Sequence, residues 1–257
     1  MKIELQPNKK IYFASDQHFG APTPELSKPR EAKFLAWLDE IKHDAQILFL
    51  MGDLFDFWHE WKYVVPKGYV RILGKLAELN DRGIDIYFFV GNHDLWMKDY
   101  LEEEIGIPVF FEKQYYEISG KNFLLAHGDG LGPGDKGYKR MKKLFTNPIA
   151  QWFFKWLHPD IAMKIAVYFS TKNKMISGVE DMKFLGEDKE FLILYSKEKL
   201  KSEKIDYFVY GHRHLPMILD LKIDENAANY VNLGDWISYF TYGVFDGAEF
   251  KIEEYKQ

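Results

Sequence analysis

Five apolar runs in this chain each end on a short motif rich in glycine, histidine or aspartate, and that recurrence constrains the fold more than any bulk property. Residues 10–15 run into Asp16-Gln17-His18, 45–51 into Gly52-Asp53, and 84–90 into Gly91-Asn92-His93-Asp94. Residues 122–126 run into His127-Gly128-Asp129, and 205–210 into Gly211-His212-Arg213-His214. Nearly continuous apolar runs of this length suit strands covered on both faces. Helical patterns alternate with them: 29–43 carries Phe34, Leu35, Leu38 and Ile41, and 69–82 carries Val70, Leu73, Leu76, Ala77 and Leu79, with Gly83 where a C-terminal cap glycine belongs. Alternating strand and helix predicts an α/β fold with largely parallel inner strands, whose ligands bind beyond the strands' carboxyl ends. All five motifs fall there.

From about residue 131 to 203 the rhythm breaks. Asn147-Pro148 and His158-Pro159 read as helix starts with proline at the first helical position, opening helices over 149–157 and 160–172. Trp152, Phe153, Phe154, Trp156, Tyr168 and Phe169 crowd those two segments. The expectation is one domain, 1–257, with a helical cap inserted over the strand ends at about 131–203; a helical hairpin packed into the main core is the alternative. The later runs 217–222, 230–233 and 241–245 predict a second, partly antiparallel sheet.

Composition excludes several chemistries. With no cysteine there are no disulfides, thiolate metal sites or cysteine nucleophiles, so any metal is held by nitrogen and oxygen, which suits Mn, Fe, Zn, Co or Mg. The net charge of −5 is unevenly spread: residues 131–174 hold nine basic side chains against two acidic ones. Such a stretch is either a solvated helix face or a surface for anions or a membrane. Neither a secretory leader nor an uncharged apolar run long enough to span a bilayer is evident, so a cytoplasmic location is expected.

Of the eight histidines, five sit in the motifs. Asp16 and His18, two apart, point to the same side of an extended segment, and His212 and His214 repeat that spacing. Imidazole, carboxylate and amide oxygen at five strand ends are the raw material for two adjacent divalent cations, a combination that points to hydrolysis of phosphate esters or anhydrides. Asp56 and Asp94 are either carboxylates that orient those groups or plain surface acids.

The ordered set resembles the calcineurin-like metallophosphoesterase superfamily, whose pattern is D-x-H, G-D, G-N-H, H-G and G-H-x-H, over residues 11 to about 236. The resemblance implies a four-layer α/β/β/α sandwich of two mixed sheets. It assigns Asp16, His18 and His214 to one metal, Asn92, His127 and His212 to a second, and Asp53 to both. His93 would donate to a phosphate oxygen or protonate the leaving group. The segment after His127 is further similar to the UDP-2,3-diacylglucosamine diphosphatase family of lipid A biosynthesis. That similarity implies two Mn²⁺ ions and attack of metal-bound hydroxide on a pyrophosphate, releasing UMP and 2,3-diacylglucosamine 1-phosphate. It also implies a lid with a groove for acyl chains, and substrate contacts at Asp135, Tyr138 and Ser170, with Lys172 and Lys174 as further basic groups. A peripheral position on the cytoplasmic face of the inner membrane would follow, and no nucleic-acid partner. A metallophosphoesterase of nucleotides, nucleic acids or phosphoproteins is the alternative. A non-catalytic module on the same fold is disfavoured because all seven metal positions and His93 are retained.

Overall fold

In the computed structural model, which describes residues 1–133, 136–177 and 183–256, two six-stranded sheets carry the fold. Strands and helices are numbered in chain order. The first sheet runs β12 (Phe250–Glu254), β11 (Thr241–Phe245), β2 (Lys10–Ala14), β3 (Ala45–Leu50), β4 (Asp85–Phe89), β5 (Val109–Phe110). The second runs β1 (Lys2–Ile3), β6 (Gln114–Ile118), β7 (Lys121–Leu125), β8 (Tyr207–Tyr210), β10 (Asn226–Asn232), β9 (Met217–Ile223). β2 to β5 are parallel, as are β7, β8 and β10, and antiparallel neighbours flank both sets.

Strand alternation explains the layering. β2 sends Ile11 and Phe13 to one apolar cluster and Tyr12 and Ala14 to another, and β3 divides Ile47 and Phe49 from Leu48 and Leu50 in the same way. Side chains alternate across a strand, so a strand apolar at every position must be covered twice. Between the sheets lie Phe13, Phe49, Phe89, Phe123, Val209 and Phe245. Outside the first sheet, helices α1 (Pro24–Ile41), α2 (Val70–Asp81) and α3 (Tyr100–Ile105) bring Phe34, Trp37, Leu38, Leu76 and Leu101 onto Leu48 and Phe88. On the far side, α7 (Phe191–Leu200) sets Leu192, Ile193 and Leu200 against Phe208, Tyr210 and Tyr230. The result is the expected four layers. Each fully buried side chain of this size contributes about 1.5–3 kcal/mol.

Two details differ from the sequence expectation. α1 starts at Pro24 rather than at residue 29, because Thr23 Oγ1 accepts the Leu26 N–H (3.3 Å) and Pro24 fills the first position, where its missing N–H costs nothing. The late strands do not form one sheet of their own. β9 and β10 extend the second sheet, whereas β11 pairs antiparallel with β2 in the first. An apolar strand declares how many faces it buries, not which neighbour it takes. As expected, Gly83 follows α2 in the left-handed region (φ 85°).

Between β7 and α7 lie α4 (Lys136–Phe145), α5 (Pro148–Lys155) and α6 (Pro159–Ser177). Asn147 caps α5 by accepting from the N–H groups of Ile149 (2.9 Å) and Ala150 (3.2 Å). α5 buries none of its residues, whereas on α6 Ala162 and Ala166 are buried. The indole of Trp96 donates to the Phe145 carbonyl (2.6 Å), and the Phe154 ring lies 4.4 Å from that of Trp96 and 5.1 Å from that of His59. Among the described residues no helix is long and apolar enough to cross a membrane.

Candidate metal centre

Every motif sits just past the carboxyl end of a parallel strand, where the two sheets meet. Left-handed backbone is costly for a side-chain-bearing residue, yet Asp16 (φ 58°), His18 (45°), Asp53 (55°), His212 (67°) and His214 (51°) all adopt it. The D-x-H and H-x-H pairs therefore converge through turned backbone, not through the extended geometry their spacing suggests. Glycine makes the approach possible: a Cβ on Gly91 would strike the Asp53 carboxylate, and one on Gly211 would strike Ser15 Oγ and Asp16.

Each carboxylate spends one oxygen on the scaffold and turns the other inward. Asp16 Oδ2 accepts from Ser15 Oγ (2.6 Å) and from the His212 N–H (2.9 Å), while Asp16 Oδ1 is buried without a hydrogen-bond partner among the described residues. Asp53 Oδ1 accepts the His93 N–H (2.8 Å), and its Oδ2 lies 3.6 Å from His18 Nε2 and 3.5 Å from His127 Nε2. His18 Nε2 is 3.4 Å from His214 Nε2 and 3.7 Å from Asp16 Oδ1, which is 3.3 Å from His214 Nε2. On the other side Asn92 Oδ1 lies 3.1 Å from His127 Nε2 and 2.8 Å from His212 Nδ1. Donors at about 2.1 Å around one tetrahedral ion stand about 3.4 Å apart. Two such groups, both reaching Asp53 Oδ2, fit a pair of cations held by nitrogen and oxygen.

The ring orientations agree. A backbone carbonyl can only accept, so His127 Nδ1 must carry the proton it donates to Met51 O (2.8 Å), which leaves Nε2 to face Asn92 and Asp53. Likewise His214 Nδ1 donates to Asp235 Oδ2 (3.1 Å) and His93 Nδ1 to the Asp56 carbonyl (2.9 Å). His93 stands edge-on to His18, ring centroids 4.6 Å apart.

Electrostatics favour positive charge here. Burial raises the Asp53 and Asp16 carboxyls, but the surrounding imidazoles outweigh it and hold both below the usual range. Burial disfavours charge on His127 too, yet Asp53, Asp16 and Asp129 push its pKa up to about 10. Desolvation and the neighbouring His127 lower the half-buried His212 to about 4. Two buried carboxylates thus pull a proton onto one imidazole, a demand that divalent cations would meet.

Other sequence expectations resolve unevenly. Asp94 is fully buried, with Oδ1 accepting from Gly91 N–H (2.6 Å) and Oδ2 from Leu54 N–H (3.0 Å), which ties the Gly52-Asp53 turn to the Gly91-Asn92 turn. Burial and the neighbouring Asp53 raise its pKa to about 8. Asp56 is buried as well, so neither is a surface acid. Tyr138 donates to the Asp129 carboxylate, which also receives the Lys142 ammonium, and its ring centroid lies 6.1 Å from that of His212. Asp135 lies outside the described residues. Ser170, Lys172 and Lys174 fall on the last turns of α6, whose side chains are likewise outside the described set. Asp235 and the role of Asp129 were missed. Gly234-Asp235 repeats the glycine-aspartate signal but lacks a histidine, and Asp129 shows no partner until α4 folds over it.

The calcineurin-like phosphoesterase family model matches residues 9–216 of this chain. A UDP-2,3-diacylglucosamine hydrolase from Porphyromonas gingivalis is 40% identical over 95% of this chain and 97% of its own length. One of the same name from Edwardsiella ictaluri is 27% identical, covering 87% and 83% respectively. Among solved structures, a dimetal phosphatase from Danio rerio aligns over 98% of this chain and 100% of its own, at a TM-score of 0.42 and 12% identity.

Proposed function

The chain belongs to the calcineurin-like phosphoesterase family and is a metal-dependent hydrolase, and from that premise we propose that it cleaves the pyrophosphate of UDP-2,3-diacylglucosamine to UMP and 2,3-diacylglucosamine 1-phosphate. The observation that carries the substrate class is the surface beside the cluster. α4, α5 and α6 follow the His127-Gly128-Asp129 motif directly and are tied to it through Tyr138 and Lys142. They expose Trp152, Phe153, Trp156, Ile161, Tyr168 and Phe169 to solvent. So much exposed apolar surface marks an interaction site, and the same segment is strongly basic. In this proposal the three helices form a cap, the aromatics receive acyl chains at about 0.8 kcal/mol per buried methylene, and the lysines meet the anionic headgroup. The same face would rest on the cytoplasmic leaflet of the inner membrane.

Asp16, His18, His214, Asn92, His127 and His212 would hold two divalent cations, with Asp53 shared between them; manganese is the proposed native metal. When bound, such a pair supplies Lewis acidity, drawing charge off the phosphoryl oxygens and making water nucleophilic near neutral pH. The chain's own residues orient and shield. Asp94 locks the Gly52-Asp53 turn to the turn that carries Asn92 and His93, Asp53 holds the His93 N–H, and Asp235 fixes the His214 tautomer. Hydrolysis adds the water oxygen to one phosphorus and releases the bridging oxygen with the other, which then needs a proton. In its cationic form His93, with one ring proton held at Nδ1 by the Asp56 carbonyl, would give its second proton from Nε2 to that oxygen. Tyr138 and the Asp135 and Ser170–Lys174 region are the proposed substrate contacts.

Product analysis tests the proposal. Incubation with UDP-2,3-diacylglucosamine and Mn²⁺ is expected to release UMP in step with the sugar 1-phosphate. Absence of UMP, with turnover of a simple phosphodiester, would redirect the assignment to another phosphoester substrate.

A further inference from the structure

Arg213 and Glu190 form a buried ion pair against the cluster. They are 5% and 2% exposed, and Arg213 Nε and Nη2 donate to Glu190 Oε2 and Oε1, both at 2.9 Å. Each partner also reaches the chain returning from α6. Arg213 Nη2 donates to the Lys183 carbonyl (3.1 Å), and Glu190 Oε1 accepts the Leu185 N–H (3.1 Å). Glu190 stands at the start of α7, but its side chain makes no capping bond there. That turn abuts the cluster: the Phe191 ring centroid is 6.1 Å from that of His212, and a Cβ on Gly128 would lie 3.0 Å from Leu192 Cδ1.

Arg213 lies between the two histidines of the last motif, both in left-handed backbone. A strained turn persists only when its surroundings over-determine it. Here the His212 N–H is held by Asp16 and the His214 ring by Asp235, while the residue between them is gripped by a two-bond guanidinium–carboxylate fork. We infer that Arg213 is a positioning residue: its clamp on Glu190 keeps the His212–His214 turn in the conformation that aims both imidazoles inward, and links cation binding there to the order of residues 183–190. The inference rests on the metal-centre proposal above. Linkage is reciprocal, so a clamp that favours cation binding is itself tightened by the cation.

The test is titration of metal-free, full-length protein with Mn²⁺ by calorimetry, paired with amide hydrogen exchange over residues 183–190. The informative variant is Arg213→Met with Glu190→Leu, because removing both charges leaves neither buried alone. With its circular dichroism unchanged, it is expected to bind Mn²⁺ about 10–100-fold more weakly. Mn²⁺ is expected to slow exchange over 183–190 in the wild type but not in this variant. Arg213→Lys keeps the charge without the fork and is expected to fall between; it carries the same comparison should the double variant not fold. Wild-type Mn²⁺ affinity in a folded variant, or exchange at 183–190 that ignores Mn²⁺ in the wild type, overturns the clamp. A wild-type protein that binds no divalent cation overturns the metal centre itself, and the clamp with it.

Discussion

The Asp235 carboxylate lies 3.1 Å from His214 Nδ1 through Oδ2, while its Oδ1 accepts the backbone N–H groups of Ile237 (3.1 Å), Ser238 (2.7 Å) and Tyr239 (3.0 Å). One side chain therefore holds the chain past β10 and sets the tautomer of an imidazole facing Asp16. Asp235→Asn keeps the shape and can keep the backbone bonds at Oδ1. It puts an amide N–H where a carboxylate oxygen received the ring proton, so His214 must turn or change tautomer. The expected result is a loss of about 10–100-fold in Mn²⁺ affinity with little change in Tm. Unchanged affinity would show that the ring is oriented by packing alone.

Asp53 faces both donor groups through a single oxygen, so its removal affects them together. Asp53→Asn preserves an acceptor for the His93 N–H but takes away the charge that His18 and His127 face. Loss of an outer partner costs about 10–100-fold, and a shared ligand is worth more, so UMP release at saturating Mn²⁺ should fall more than about 100-fold. Near wild-type turnover with any divalent cation contradicts the shared-ligand assignment.

Glu60 organises a helix it does not belong to. Its Oε1 accepts from the Trp58 indole and the Lys98 N–H, both at 2.9 Å, and its Oε2 from the N–H groups of Asp99 (3.2 Å) and Tyr100 (3.3 Å). α3 has no side-chain cap of its own, so this buried carboxylate satisfies its first amides. Glu60→Ala should cost about 2–3 kcal/mol in urea unfolding and speed exchange at residues 98–100. A loss below about 0.5 kcal/mol would mean that water replaces the carboxylate freely.

The motif residues were legible in the sequence because each signal is local: a strand, a glycine, then a ligand-type side chain within a few positions. Layering was legible for the same reason, since β2 and β3 announce two buried faces through continuous apolar runs. Partnerships over distance were not. Nothing near Arg213 points to Glu190, and nothing in the 241–245 run selects β2 over the strands that precede it. The turned backbone of Asp16 and His212 was also hidden, because a two-residue spacing is shared by extended and left-handed arrangements. The parts that needed the fold are those in which one side chain settles the geometry of another.

His59 gives the fold a sensitivity to acid. It is 1% exposed, neither ring nitrogen has a hydrogen-bond partner among the described residues, and the rings of Trp61, Trp96 and Phe154 surround it at 4.4, 5.2 and 5.1 Å. Burial, with Lys98 and Lys155 nearby, lowers its pKa from 6.5 to about 4. A base with a depressed folded pKa stabilises as the neutral ring, so its contribution is complete above pH 6.5 and is lost as pH falls toward 4. After allowance for solvent screening this amounts to about 2 kcal/mol. His59→Phe should therefore lose less stability than the wild type between pH 7 and 4.5 in urea unfolding. Parallel losses across that window would locate the acid sensitivity elsewhere.

Trp152 and Phe153 separate a substrate surface from a structural one. They are 54% and 64% exposed, with rings 5.0 Å apart, so truncating them removes little folded contact. Exposed substitutions of this kind change stability by about 0.5 kcal/mol or less. If the pair receives acyl chains, losing one aromatic contact is worth about 1.5–3 kcal/mol of binding. Trp152→Ala and Phe153→Ala should each raise KM for the diacylated nucleotide sugar by about 10-fold or more, with Tm unchanged. Hydrolysis of a short, unacylated phosphodiester should continue at the wild-type rate, since neither ring is among the groups that face Asp53. Equal losses on both substrates would mean that the helices shape the site without touching lipid, and the acyl-groove proposal would fail.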